Sequence, residues 1–159
     1  MDWGTLIGTA LGAVVGVGSA VVAERSRWKR EFVTRERAVR RELYGEYLAA
    51  LSRTRNELRS VARSPSTPAA ERARLASESF RSGGAYELRY QMAITAPESV
   101  AGPSERALLA LRTLNDRLEA GDDHTDATWS DAHEAFTEAL AALRTAMRAD
   151  LGTDTGGDG

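Results

Sequence analysis

A continuous apolar run near the N-terminus constrains this chain more than any other feature. Residues 4–23 read GTLIGTALGAVVGVGSAVVA, twenty residues with no charged side chain, no proline and no amide. As an α-helix rising about 1.5 Å per residue, the run is roughly 30 Å long, which matches the hydrocarbon core of a bilayer. Basic residues follow directly: Arg25, Arg27, Lys29 and Arg30. We therefore predict one transmembrane anchor, residues 1–23, with everything after it on the cytoplasmic side.

Two other interpretations of the apolar run compete with a membrane span. A cleaved signal peptide carries a positive segment before its apolar one, and here the only charged side chain before residue 24 is Asp2. A buried helix of a soluble protein needs a large domain around it, because this run is apolar on all sides. The positive-inside rule favours a single-pass protein of the cell membrane, with the N-terminus outside and the C-terminal domain cytoplasmic.

Small residues recur at every fourth position of the predicted anchor. They are Gly4, Gly8, Gly12, Gly16 and Ala20. Such a stripe lets two helix backbones approach closely in lipid and so drives their association. Glycine and alanine are also common in membrane helices generally, which is the competing explanation. Our hypothesis is that the chain forms a homo-oligomer through this glycine stripe.

The next segment, residues 24–38, is predicted to be a charged neck beside the membrane. Its first cations, Arg25, Arg27, Lys29 and Arg30, would attract anionic lipid by about 1 kcal/mol each when well placed. A solvated helix that simply stops transfer across the bilayer explains them equally. Two aromatic residues in the neck, Trp28 and Phe32, are predicted to rest at the lipid interface.

Charge is distributed unevenly along the 159 residues. The net charge is −2, but residues 24–64 carry +6, residues 65–118 carry +1 and residues 119–159 carry −8. Arginines in the basic part alternate with glutamates, so a nucleic-acid-binding role is not expected. The chain has no cysteine, which excludes disulfides and thiolate metal sites.

Hydrophobic periodicity predicts an all-α domain: a cytoplasmic antiparallel bundle of three or four helices over residues 39–151. A long first helix ends near Arg63 with an inward face at positions 39, 43, 47, 51 and 58. The second helix is predicted over 68–95, with a kink or break at Gly83–Gly84, and the third over 104–120. A fourth covers 126–151, and its inward face is Trp129, His133, Phe136, Leu140, Leu143, Met147 and Leu151. Residues 152–159 are predicted to be a disordered tail.

One segment of the second helix carries a conflicting signal. Residues 86–94, YELRYQMAI, alternate apolar and polar side chains as a β-strand does. We predict a helix there because the sequence offers no partner strand, and a lone strand leaves its backbone groups unpaired.

No residue pattern in the chain predicts catalysis, a metal or a cofactor. His133 is interpreted as a core or rim histidine bonded to a neighbouring helix, with a ligand or proton acceptor as the alternative. His124 lies in an acidic loop without metal-ligand spacing. Sequence motifs for phosphate loops, dinucleotide sites, serine hydrolases and zinc proteases are missing. All four tyrosines (Tyr44, Tyr47, Tyr86 and Tyr90) are predicted to be packing residues, and an exposed tyrosine cluster for partner binding is the alternative.

Four stretches of the chain resemble known proteins: WGTLIGTALGAVVGVGS, the Arg/Glu neck, ELYGEYLAAL and YELRYQMAITAPESV. In this order they resemble uncharacterised small single-span membrane-anchored proteins of high-GC Gram-positive bacteria. The resemblance implies the location and overall plan of the chain, and it implies no activity and no functional residues.

Taken together, the sequence predicts a non-enzymatic, membrane-anchored helical interaction or scaffold protein that presents its bundle to a cytoplasmic partner. The expected partners are the lipid bilayer, other copies of the chain and an unknown cytoplasmic protein, with no nucleic acid and no cofactor. The alternative is an oligomeric, membrane-perturbing effector of the pore or holin kind, assembled through the glycine stripe.

Overall fold

The structure is a computed structural model. It describes the backbone of residues 3–64 and 66–153, and the side chains of Trp28 and of residues 32–64 and 66–153. The regular structure of the described residues is all helix, without a strand, which confirms the all-α class. It divides into two compact units, residues 1–39 and 40–159.

Five helices make up the described residues. They are α1 (Trp3–Ala62), α2 (Ala69–Ser82), α3 (Ala85–Thr95), α4 (Glu98–Glu119) and α5 (Ala127–Leu151). Within the second unit, α4 packs against α2, α3 and α5. The first helix was predicted to end near Arg63, and α1 ends at Ala62, so this prediction is confirmed to within one residue. The predicted second helix, 68–95, is divided into α2 and α3.

The second unit is built around one apolar core. Each helix contributes a stripe with helical spacing, as an amphipathic helix requires. The largest fully buried side chains are Tyr47, Leu51, Leu58, Met92, Leu111, Leu114, Leu118, Phe136 and Leu143. Val39 was expected on the inward face of the first helix but is 54% exposed, because the buried stripe starts one turn later, at Leu43.

Polar contacts fix α1 against the elements around it. The Tyr47 hydroxyl donates to the carbonyl of Ser104 at 3.1 Å. Near the end of α5, the carboxylate of Asp150 accepts from the Tyr44 hydroxyl at 2.7 Å and from the Arg40 guanidinium at 3.2 Å. Before α5 begins, the backbone N–H of His124 donates to the carbonyl of Ala62. These contacts place residues 44–62 of α1 and α5 side by side and antiparallel.

The break between α2 and α3 occurs at the two predicted glycines. Gly84 has φ +76°, a left-handed conformation that suits glycine and interrupts the helix. Gly83 is buried against α1: a β-carbon at this position would lie 1.9 Å from the Thr54 hydroxyl oxygen. That hydroxyl is itself held, because it donates to the carbonyl of Ala50 at 3.0 Å. The glycine pair therefore ends α2 and allows close packing against α1.

Helix α4 starts earlier than the sequence predicted. The predicted third helix covered 104–120, but Gly102 and Pro103 also lie inside the helix Glu98–Glu119. Pro103 removes one N–H from the helical ladder and leaves the carbonyl of Ser99 without that donor. Ser99 is exposed, so water can satisfy the carbonyl and the helix continues.

Candidate functional site

The residues assigned to the membrane fall mostly outside the described side chains. The glycine stripe (Gly4, Gly8, Gly12, Gly16 and Ala20) and the basic group (Arg25, Arg27, Lys29 and Arg30) are placed in α1 by their backbone only. Trp28 and Phe32 are described and are 71% and 64% exposed. Within the residues open to this test, no helix combines the length and the apolar character that a bilayer span needs. The predicted anchor, residues 4–23, lies outside the described side chains and stays a prediction.

Helix α3 is apolar on two faces, and only one of them is covered. Ala85 and Met92 are buried, and Leu88 packs against the core. One turn apart on another side, Tyr86, Tyr90 and Ile94 are exposed, Ile94 by 86%. The prediction that the tyrosines are packing residues is correct for Tyr44 and Tyr47 and wrong for Tyr86 and Tyr90. Apolar residues at alternate positions therefore fill two helix faces instead of one strand face.

The exposed tyrosines form an ordered cluster with an arginine. Their rings meet edge to face with centroids 5.5 Å apart, and the Tyr90 hydroxyl donates to the Tyr86 hydroxyl at 3.0 Å. The guanidinium of Arg89 lies 5.4 Å from the Tyr86 ring centre and 5.1 Å from that of Tyr90. Cation–π attraction at these distances holds all three side chains on the surface of α3.

A cleft of about 610 Å³ opens beside this cluster, between α2, α3 and α4. Its apolar lining consists of Phe80, Tyr86, Leu108 and Leu109, and Leu109 is itself half exposed. Charged residues of both signs surround it: Arg81, Arg89, Arg112, Glu87, Asp116 and Glu119. Tyr86 belongs to both features, so the outward face of α3 and the cleft form one surface. We call this surface the docking face.

One carboxylate at the edge of the cleft is held in place. Glu119 accepts hydrogen bonds from the hydroxyl of Ser77 and, at 2.7 Å, from the amide of Asn115. The Ser77 bond, followed by the Asn115 bond, lowers the pKa of Glu119 below its ordinary value. The hydrogen bonds from Ser77 on α2 and Asn115 on α4 therefore hold the negative charge of Glu119 between these two helices.

His133 has surroundings different from those the sequence suggested. It is half-buried, and its Nε2 atom is buried without a hydrogen-bond partner. Burial, followed by the charges of Arg55, Arg59 and Arg63, lowers the pKa of His133. His124 instead caps α1, with Nδ1 3.1 Å from the carbonyl of Ala62.

The acidic loop before α5 is occupied by its own hydrogen bonds. Asp123 accepts from the N–H and hydroxyl of Thr125, which lowers the pKa of Asp123. Asp126 in turn accepts from the N–H of Asp123. In the described part of the chain, no group of His, Asp and Glu side chains is arranged to hold a metal ion.

Comparisons with protein-family models, with curated proteins and with solved structures found no match to this chain. The sequence analysis named an exposed tyrosine cluster only as the alternative, and it did not foresee the cleft beside Tyr86.

Proposed function

We propose that this chain is a non-enzymatic, membrane-anchored interaction protein whose docking face binds an amphipathic helix of a cytoplasmic partner protein. The observation that supports this most is the exposed apolar strip of α3. Tyr86, Tyr90 and Ile94 lie one turn apart in the open, although α3 already has a buried apolar face.

The composition and shape of the docking face favour a protein partner. Tyrosine and arginine are enriched at protein interfaces, and residues such as Tyr86, Arg89 and Tyr90 often dominate the binding energy. The strip and the adjoining cleft suit the helix-in-groove mode, in which one apolar residue per turn of the partner enters a groove between helices. Because Arg81, Arg112, Glu87 and Asp116 all line the cleft, the expected partner helix is also of mixed charge.

Membrane attachment is part of the same proposal and rests on the sequence. The apolar run 4–23 followed by four cations supports a single-pass anchor with a cytoplasmic bundle. The repeat of glycines in that run supports homo-oligomerisation in the membrane. Several anchored copies would present several docking faces to a multivalent partner.

Site-specific photocrosslinking in cells tests the docking face. Tyr90 is replaced by a photoreactive phenylalanine analogue in the full-length chain, and the control carries the same analogue at Glu138 on the exposed side of α5. We expect one discrete adduct from position 90 that disappears with Ile94→Ser, and no such adduct from position 138. Equal adducts from both positions, or an adduct indifferent to Ile94→Ser, would contradict the proposal.

The second candidate function, membrane perturbation by an oligomer, is favoured by the unbroken glycine repeat. Dye leakage from cells or vesicles separates the two functions. Leakage that Gly12→Ile abolishes would support the perturbing effector, whereas intact membranes on overexpression would leave the interaction protein as the proposal.

A further inference from the structure

Two arginines near the end of α1 and a third directly after it form a second charged feature, separate from the docking face. Arg55, Arg59 and Arg63 are four residues apart, so their side chains lie one turn above another on the same side of the helix. We call them the arginine stripe. The docking face is built from α2, α3 and α4, and the stripe from the end of α1 and the residue that follows it.

Contacts between α1 and α5 place His133 beside the stripe. The antiparallel register is fixed at one end by Ala62 and His124 and at the other by Tyr44 and Asp150. Position 133 is nine residues beyond His124, and this register brings it level with Arg55 and Arg59. The stripe therefore follows the seam between α1 and α5.

Among the described residues, the arginine stripe has no carboxylate in an ion pair with it. Among the described side chains, none of its three guanidinium groups is within ion-pair distance of an Asp or Glu. Two other arginines do have such partners: Arg40 pairs with Asp150, and Arg74 pairs with Glu71 and Glu78. In addition, the Nε of Arg55 is buried without a hydrogen-bond acceptor. Three adjacent cations without a direct ion pair repel one another, and a bound anion relieves this repulsion.

We propose that the arginine stripe binds an acidic segment of a protein, with carboxylates one helical turn apart. Guanidinium groups pair with carboxylates through two parallel hydrogen bonds, and a partner helix with Glu at every fourth position repeats at the spacing of the stripe.

The neighbourhood of the stripe favours a short acidic segment over a nucleic acid. Ala62 bonds to His124, so Arg63 lies beside the acidic loop that contains Asp122 and Asp123. A phosphate polymer that followed α1 past Arg63 would meet these carboxylates, whereas a short segment can end before them.

Binding of a defined acidic peptide tests the proposal. The probe is a fluorescent 16-residue peptide with Glu at every fourth position and Ala elsewhere, titrated into the full-length chain in uncharged detergent. The test variant is Arg55→Gln/Arg59→Gln/Arg63→Gln. The control, Arg41→Gln/Arg106→Gln/Arg117→Gln, removes the same charge from three exposed positions.

The stripe variant should bind the peptide at least tenfold more weakly, because three ion pairs are lost, and the control should change little. If the triple variant loses its helical circular dichroism, Arg63→Gln alone is used, since Arg63 is exposed, and weaker binding is again expected. Equal losses of peptide affinity in the stripe variant and the control would mean that net charge alone controls binding. That result would overturn the proposal. Tighter binding of duplex DNA than of the peptide would overturn it as well.

A second measurement reports on the stripe directly. The chain has two histidines, so their ring protons are resolved by NMR. A peptide bound to the stripe cancels part of the positive field at His133 and stabilises its imidazolium, so the pKa of His133 should rise on binding. An unchanged His133 titration at saturating peptide would show that the peptide binds elsewhere and would contradict the proposal, whatever happens at the docking face.

Discussion

At the scale of single residues, Gly83 shows how one missing β-carbon determines the packing of two helices. A β-carbon here would lie 1.9 Å from the Thr54 hydroxyl oxygen and 3.1 Å from the carbonyl of Ser79. Thr54 cannot move away easily, because it is fully buried and bonded to Ala50. The glycine therefore permits the approach of α1 that a larger residue would prevent.

Gly83→Ala should accordingly lower the free energy of unfolding by about 1–3 kcal/mol, the usual cost of overpacking a core. Urea denaturation followed by circular dichroism measures the change. Gly45→Ala is the control: Gly45 has open space around it inside α1, so alanine should be neutral or stabilise by up to about 1 kcal/mol. A neutral Gly83→Ala would show that α1 and α2 are not in close contact there.

A further prediction at this scale concerns His133 and pH. The pKa of His133 is lowered in the folded chain, whereas an unfolded histidine titrates near 6.5. Below a pH of about 6.5, His133 binds a proton in the unfolded chain but not in the folded chain. The free energy of unfolding therefore falls as the pH is lowered, until the pH passes the lowered pKa of the folded state. We expect urea midpoints to decrease between pH 7.5 and 5.5.

The histidine variants assign this pH dependence. His133→Gln should remove most of the decrease, and His124→Gln should keep it. The reverse pattern would mean that the loop before α5, and not the seam with α1, controls the pH response.

At the scale of elements, α3 separates what the sequence could predict from what it could not. Helical spacing predicted most buried positions, because the period of an amphipathic helix is local information. The same spacing could not show that Tyr86 and Tyr90 lack a covering helix, because that depends on where α2 and α4 lie. Pairs such as Tyr44 with Asp150, more than one hundred residues apart, are hidden for the same reason.

The two apolar faces of α3 should respond differently to truncation. Met92→Ala removes a buried side chain and should cost about 2–5 kcal/mol in the free energy of unfolding. Ile94→Ala alters an exposed one and should stay within about 0.5 kcal/mol of the parent chain. Thermal or urea denaturation distinguishes the two, and a large cost at Ile94 would mean that this face is already covered.

At the scale of the whole molecule, the buried core belongs to the second unit. All buried hydrophobic side chains described lie between Leu43 and Met147. That unit, residues 40–159, therefore contains the contacts that a cooperative fold requires. Residues 4–23 carry the predicted anchor.

A chain shortened to residues 36–159 should therefore keep its helical circular dichroism and melt in one transition. The full-length chain should sediment with membranes after cell lysis without detergent, and the shortened chain should stay in the supernatant. Full-length protein in the supernatant would contradict the anchor, and an unfolded short chain would show that residues before 36 contribute to the fold.

The interleaving of covered and uncovered residues along α3 has a consequence for how such a molecule could diversify. Positions 85, 88 and 92 pack against the core, and positions 86, 90 and 94 are exposed to solvent or to a partner. Substitutions in the second set could retarget the molecule without loosening its interior. A family of variants that differ in what they recognise could thus share one unchanged scaffold.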